Sequence, residues 1–284
     1  MIAEHFRKAQ LELGESPRWD WRTGHLYWVD INKGVLYRLD SATGELERFG
    51  TGMALGCLGL AAGGGPLLAT GKGFARYDFD AWIARPLPGL ELDEGVRFND
   101  GAVDRAGRFW AGTKAPQDEA CLYRLDPDGE VRLMDGGFTI CNGIGWSPDN
   151  RLMYFTDSMA HTIYVYDFNL ADGTIANRRV FARVEEPATP DGLTVDREGF
   201  IWSALWDGGR VVRFDPQGRV EREISVPVPR PTACTFGGPE LDVLYITTAW
   251  EGYTPAERAQ HPLAGDLFMA HPGIQGLPEP LFGK

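Results

Sequence analysis

The sequence lacks the features of a disulfide-stabilised, membrane-bound or zinc-thiolate protein. It has 4 cysteines among 284 residues, none in a C-x-x-C pair and none near a histidine at zinc-binding spacing. We expect buried thiols in a reducing cytoplasm, with a disulfide as the alternative. No stretch approaches the roughly 20 apolar residues that span a bilayer, and the charged N-terminal segment has no apolar core of a signal peptide. A cytoplasmic protein without a membrane partner is therefore predicted.

Basic runs and the usual hydrolase motifs are missing as well. The net charge is −12, and no run of Lys and Arg is long enough to hold a phosphate backbone, so nucleic acid is not an expected partner. There is no G-x-S-x-G motif, and the 5 histidines are scattered along the chain. A serine hydrolase with a histidine base therefore has no support.

What the chain does contain is a repeat. Gly (36) and Pro (19) are spread along the sequence, as turn residues are. Units of three or four short alternating strands recur, and their matching positions are separated by 40, 42, 44, 48 and 43 residues: Tyr27, Leu67, Phe109, Met153, Ile201 and Leu244. A period of about 40–50 residues is typical of propeller blades. Six units predict an all-β, six-bladed β-propeller that forms one domain over residues 1–284.

The chain must also close the ring of blades. Residues 5–12 alternate weakly in hydrophobicity and precede the first repeat. We expect this segment to be the outer strand of the last blade, where it would cover an open sheet edge. The one helix-like stretch, PAERAQHP from Pro255, is short and suits a loop.

Four repeats carry a polar residue at the same position, at the start of the innermost strand. The motifs are E-S-P-R-W-D from Glu15, N-D-G-A-V-D from Asn99, N-G-I-G-W-S from Asn142 and D-G-L-T-V-D from Asp191. The same alignment places Cys57 there in the second blade and a residue near Thr232 in the sixth.

Innermost strands run along a propeller axis, so these side chains would form a ring. Converging carboxylate and amide oxygens repel one another unless a cation lies between them. Hard oxygen ligands favour Ca²⁺, Mg²⁺ or Mn²⁺, and Zn²⁺ or Fe²⁺ also accept them. The alternative is structural, because Asn-Gly and Asp-Gly pairs are common in tight turns.

Taken together, these motifs resemble the regucalcin/senescence marker/gluconolactonase family. The segments LGESPRWD, RFNDGAVDRAGRFWAGT, CNGIGWSPDN and PDGLTVDREG carry the resemblance, and HPLAGDLF is similar to bacterial sugar-acid lactonases of that family. The resemblance implies a six-bladed propeller with one divalent metal, held by Glu15, Asn142 and Asp191. Arg97 and Asn99 would bind the substrate. Gln117 stands where many animal members have a Glu that contacts sugar hydroxyls, with Asp118 or Glu119 as substitutes.

The function that the resemblance implies is hydrolysis of an aldonolactone, a small sugar lactone, to the free acid. In that reaction Asp191 is our candidate for the general base, and Arg97 would stabilise the oxyanion or hold a hydroxyl. The alternatives are a phosphotriesterase-type hydrolase, a non-catalytic metal- or ligand-binding propeller, and a protein-interaction propeller. We expect a monomer or a weak homo-oligomer. Trp206 and Trp250 either stack on a sugar ring or pack within blades.

Overall fold

The chain folds as a six-bladed β-propeller, as the repeats predict. The structure is a computed structural model that describes residues 1–63 and 65–284. Six four-stranded antiparallel sheets surround a central axis. From the axis outwards, the strands of the first three blades are β2 (Gly14–Asp20), β3 (His25–Asp30), β4 (Val35–Asp40) and β5 (Leu46–Gly50); β6 (Leu55–Gly59), β7 (Leu67–Thr70), β8 (Phe74–Asp78) and β9 (Ile83–Pro86); and β10 (Arg97–Val103), β11 (Phe109–Lys114), β12 (Ala120–Leu125) and β13 (Val131–Phe138).

The remaining blades follow in chain order, and the last one uses both ends of the chain. Their strands, in the same order, are β14 (Cys141–Trp146), β15 (Leu152–Asp157), β16 (Thr162–Asn169) and β17 (Thr174–Arg183); β18 (Thr189–Val195), β19 (Ile201–Trp206), β20 (Arg210–Phe214) and β21 (Val220–Ser225); and β22 (Pro231–Gly237), β23 (Val243–Thr248), β24 (Leu267–Ala270) and β1 (Glu4–Arg7). One short helix, α1 (Pro255–Gln260), lies between β23 and β24. No helix in the described part of the chain is long and apolar enough to cross a membrane.

The N-terminal strand β1 is the outer strand of the sixth blade, paired antiparallel with β24. It ends at Arg7 and is shorter than the segment 5–12 predicted for it. The reason is Asp266, whose Oδ1 accepts hydrogen bonds from the backbone N–H groups of Ala9 and Gln10 at 2.9 and 3.0 Å. These bonds draw the chain out of the ladder and towards the first innermost strand.

Each innermost strand has a register irregularity near its start. In the four blades with a polar ring residue, the shifts lie between Glu15 and Arg18, Phe98 and Asp100, Cys141 and Ile144, and Pro190 and Leu193. A β-bulge re-aims the side chains beside it. The bulges therefore explain how residues of a buried strand can present oxygen atoms to the axis.

A second shared motif position stabilises the third and fifth blades. Asp196, at the end of the D-G-L-T-V-D motif, is fully buried. Its Oδ1 accepts from the backbone N–H groups of Glu198 and Phe200, and its Oδ2 accepts from Trp202 Nε1 at 2.8 Å and Arg213 Nε at 2.9 Å. Asp104 makes the same kind of contacts with Trp110 and Arg108. This motif position is structural, since it fixes the hairpin between the first two strands.

We predict that Asp196→Asn destabilises the fold by about 2–3 kcal/mol, because the amide N–H₂ would face two donors and leave buried groups unpaired. The free energy of unfolding in urea measures this. Asp93→Asn is the matched control, because Asp93 is exposed, and we expect it to change that value by less than about 0.5 kcal/mol. Equal stability of the two variants would contradict the assignment.

The C-terminal segment, residues 271–284, crosses one end of the propeller. Gly276 N donates to Leu241 O at 2.7 Å, Phe282 N to Leu60 O at 2.8 Å, and Gly283 N to Gly107 O at 3.0 Å. These bonds reach the sixth, second and third blades. Residues 277–280 share a cavity with the ends of the innermost strands, and Glu279 Oε1 lies 3.3 Å from Arg18 Nε. This segment, which we call the C-terminal strap, therefore covers the end of the axis at which the innermost strands finish.

Candidate active site

A pocket opens at the other end of the axis, where the innermost strands begin. Its volume is about 220 Å³, near the low end for ligand pockets, which suits a molecule the size of one sugar ring. The residues that line it come from five blades: Leu13, Glu15, Arg97, Asn99, Lys114, Ile140, Asn142, Ser158, Met159, Thr189, Asp191, Trp206 and Glu251. Five of the six site residues predicted from the sequence thus meet in one place.

The Gly that follows Asn142 or Asp191 serves close packing and not a turn. Both pairs lie inside strands, β14 and β18. A Cβ on Gly143 would lie 2.4 Å from Leu193 N, and one on Gly192 would lie 2.4 Å from the Ala233 Cβ of the next blade. Only Gly lets neighbouring innermost strands approach so closely. The tight-turn interpretation of these motifs is therefore wrong.

The backbone beside Glu15 is held in an uncommon conformation. Ser16 has φ +49°, which costs a non-glycine residue on the order of 1 kcal/mol. The Leu58 N–H of the second blade donates to Ser16 Oγ at 3.1 Å, and the Ser16 N–H donates to Glu15 Oε2 at 3.1 Å. Both bonds stabilise the bulge that turns the Glu15 carboxylate towards the axis.

Polar side chains of the third and fourth blades form one continuous chain of hydrogen bonds that ends on the backbone of the fifth blade. Arg97 Nη1 donates to Asn99 Oδ1 at 2.7 Å, and Asn99 Nδ2 donates to Asn142 Oδ1 at 3.1 Å. Asn142 Nδ2 donates to Ser158 Oγ at 2.9 Å, and Ser158 Oγ donates to Pro190 O at 2.7 Å. The network fixes both amides and leaves one lone pair of Asn142 Oδ1 free to accept a further contact.

Two buried carboxyl groups face this network. Burial raises the pKa of Glu15 well above its ordinary value, and the Asp191 and Asp100 carboxylates raise it further. Burial also raises the pKa of Asp191 strongly, again with help from Asp100. Asp191 Oδ1 is buried and has no hydrogen-bond partner in the described part of the protein. An orphaned carboxylate oxygen beside a second acid is the arrangement expected where a cation binds.

Gln117 is the predicted residue that the structure does not bring to the pocket. It is exposed, on the loop between β11 and β12, and its φ is +48°. The neighbouring Asp118 accepts a hydrogen bond from Thr139 Oγ1 at 2.7 Å, which connects the loop to the segment between β13 and β14. Cys57 and Thr232, aligned with the ring in the other two blades, are fully buried and do not line the pocket either.

Sequence reasoning missed two charged residues of the pocket and left the role of Trp206 open. Lys114 lies opposite Arg97 in the β10–β11 ladder, a pairing that the hairpin register would have revealed. Glu251, in the loop after β23, accepts from Asn32 Nδ2 at 2.8 Å, and no local motif marks it. Trp206 both lines the pocket and packs against the core, whereas Trp250 is not among the lining residues and packs against the core, with its Nε1 donating to Gln10 O at 3.3 Å.

Comparison with known proteins agrees with this architecture. The pattern of the SMP-30/Gluconolactonase/LRE-like region matches residues 13–250. The 6-deoxy-6-sulfogluconolactonase of Pseudomonas putida is 40% identical over 276 residues, which cover 95% of this chain and 94% of that protein. Regucalcin of Danio rerio is 37% identical over 282 residues, 95% of each chain.

Among solved structures, the calcium-binding protein regucalcin from Agrobacterium tumefaciens has a TM-score of 0.92 at 26% identity, with 99% of each chain covered. Both the resemblance seen in the motifs and the six-bladed fold are thereby confirmed. The chain belongs to the SMP-30/gluconolactonase/LRE-like family.

Proposed function

We propose that this protein hydrolyses a sugar-acid lactone with the help of one divalent cation held by Glu15, Asn142 and Asp191. The observation that carries the proposal is the orphaned Oδ1 of Asp191, buried in a pocket next to a second desolvated carboxyl group. The relatives named as lactonases support the reaction class. The relative titled a calcium-binding protein supports a divalent cation without identifying it for this chain.

The donor set fits such a cation. Glu15, Asp191 and the free lone pair of Asn142 are three oxygen donors, which hard divalent cations accept. Two carboxylates would balance the cation's charge, and three protein ligands leave positions for substrate and water. A cation bound there supplies a Lewis acid that polarises an ester carbonyl and acidifies water.

The protein's own residues supply the remaining chemistry. Asp191 would accept the proton of the attacking water as the new C–O bond forms at the lactone carbonyl. Ring opening breaks the C–O bond to the ring oxygen, which takes up a proton as it leaves. Arg97 Nη1 is bonded to Asn99 and to Phe98 O, while its Nη2 and Nε point to no protein acceptor within residues 1–63 and 65–284. These N–H groups would stabilise the oxyanion or bind a hydroxyl.

Another acidic cluster fits a cation less well. Asp126, Asp128 and Glu130 lie together on a hairpin turn and are largely exposed. Arg124 Nε lies 2.7 Å from Asp126 Oδ1, and Arg132 Nη2 lies 2.6 Å from Glu130 Oε2. Arginine already balances these carboxylates, so we assign the cation to the axial pocket.

The test is lactone hydrolysis by chelator-stripped protein supplied with single metals. Acid release from a panel of aldonolactones is followed with a pH indicator, against the spontaneous opening of each lactone. We expect one or more divalent cations to restore a rate at least about 100-fold above the stripped protein, in line with metal-assisted hydrolysis. A phosphotriester substrate in the same panel tests the alternative hydrolase. If no metal accelerates any lactone, the proposal fails.

A further inference from the structure

The pocket contains two basic side chains beside its acids. Arg97 and Lys114 are cross-strand partners in β10 and β11, and both line the pocket together with Glu15, Asp191 and Glu251. In the proposed reaction the divalent cation and Arg97 already supply the positive charge that the carbonyl oxygen of a neutral lactone needs. A second basic side chain, half-buried next to the first, calls for another explanation.

Both basic residues also line a groove between the second and third blades that adjoins the pocket. We call it the cationic groove, and it includes Met53, Lys72, Val96, Arg97, Lys114 and Pro116. It has three basic residues and, in the described part of the chain, no acidic one. The whole protein has 40 acidic and 28 basic residues. The positive charge of the groove lining is therefore opposite in sign to the net charge of the protein.

In the described part of the chain, the three cations of the groove have no direct ion-pair partner; the carboxylates that favour the charged forms of Arg97 and Lys114 are those of the pocket, Glu15, Asp191 and Glu251. An ion pair requires a nitrogen–oxygen distance of at most 4.0 Å. Within residues 1–63 and 65–284, no carboxylate oxygen lies that close to a side-chain nitrogen of Lys72, Arg97 or Lys114. Elsewhere, buried arginines are paired: Arg108 Nε lies 2.6 Å from Asp104, and Arg213 Nη2 lies 2.8 Å from Asp196. Burial lowers the pKa of Arg97, and burial together with the Arg97 charge lowers that of Lys114. Like charges held together in this way are stabilised by a bound anion.

We propose that the cationic groove binds a fixed negative charge on the substrate, and that the preferred substrate is an aldonolactone with a carboxylate or sulfonate at the end away from its carbonyl. This inference rests on the proposed lactone hydrolysis. The cation balances the charge of Glu15 and Asp191 at the axis, whereas the positively charged Lys114 and Lys72 would attract an anionic group. The charge distribution would thus orient the lactone, with the carbonyl at the axis and the anion in the groove.

The first experiment compares lactones that differ in this charge alone. The metal-loaded protein is assayed with D-glucono-1,4-lactone and D-glucaro-1,4-lactone, which carries a carboxylate at carbon 6. A third arm, 6-deoxy-6-sulfogluconolactone, separates sulfonate from carboxylate recognition. We expect kcat/KM to be at least tenfold higher for one of the anionic lactones, and the ratio to fall at high salt because screening weakens the attraction. A ratio below one for both anionic lactones would overturn the inference.

Substitutions of groove residues then test whether the groove causes the preference for anionic lactones. Lys114→Gln should lower the ratio of anionic to neutral kcat/KM about tenfold. Lys72→Gln, at an exposed position where misfolding is not expected, should lower it about threefold. Lys8→Gln is the matched control, because Lys8 is exposed and lines neither the pocket nor the cationic groove, and it should keep the wild-type ratio. An unchanged ratio in both groove variants contradicts the proposal.

A binding measurement separates this inference from the proposed reaction. If the protein hydrolyses none of the lactones, the proposed function has failed, and the groove is tested by calorimetry with D-gluconate and D-glucarate. Tighter binding of glucarate, reduced at least fivefold by Lys114→Gln, would still support anion recognition. Equal affinity for the two acids would exclude it.

Discussion

Replacement of Asp191 by Asn is expected to lower kcat for lactone hydrolysis by about 10²–10⁴, the range typical for loss of a general base. The substitution keeps the size of the side chain but removes the charge that accepts the water proton. It also removes one charged metal ligand. The assay is acid release at saturating lactone, with the reconstituted metal varied over a wide concentration range.

Glu15→Gln separates the two roles assigned to Asp191. Glu15 is proposed as a ligand alone, so its variant should regain much of its activity at high metal concentration, whereas Asp191→Asn should not. Asp93→Asn is the matched control, since it makes the same chemical change at an exposed site. Full activity of Asp191→Asn with metal bound would remove Asp191 as the base.

Removal of the cation should make stability strongly dependent on pH. The folded-state pKa values of Glu15 and Asp191 are raised by burial and by their acidic neighbours. Above about pH 4, the ordinary range for carboxyl groups, the unfolded chain therefore releases these protons while the folded chain retains them. Stability of the metal-free protein then falls as pH rises, up to the raised folded-state values.

Binding of the cation should reverse this trend. At about 100 times its dissociation constant, a ligand of the folded state adds about 2.7 kcal/mol, which corresponds to roughly 5 °C in Tm for a protein of this size. We expect the gain in Tm to be larger at pH 8 than at pH 5, because protons compete for the same carboxylates. Thermal unfolding with and without chelator measures both effects.

The double variant Glu15→Gln/Asp191→Asn provides the control for this second prediction. It has no carboxyl group to titrate at the ligand positions, so its Tm should depend less on pH and should not respond to the metal. A wild-type Tm that is unaffected by chelator at pH 8 would contradict the assignment of these side chains as metal ligands.

The sequence predicted the fold and the polar ring of the pocket because both depend on features that repeat. Blade length, strand alternation and the polar residue at one position recur in each unit, so Glu15, Asn99, Asn142 and Asp191 could be aligned without a structure. The bulges that aim these side chains leave no such pattern. Ser16 at positive φ and the close contact at Gly192 became visible only when neighbouring blades were in place.

The residues outside the repeat were harder to predict. Lys114 reaches the pocket through its strand partner Arg97, and Glu251 reaches it from a loop whose path depends on the contacts of the sixth blade. Gln117 was chosen by its place in a motif, but it is exposed, on a loop that turns at two residues with positive φ, Gln117 and Asp118. The number of residues between two motifs does not predict such turns.

The C-terminal strap has a kinetic consequence. Residues 277–280 and the pair formed by Glu279 and Arg18 lie across the far end of the axis, so a ligand would reach the pocket from the end at which the innermost strands begin. In the proposed reaction, substrate and product would share this end of the axis. A product that stays bound there would behave as a competitive inhibitor.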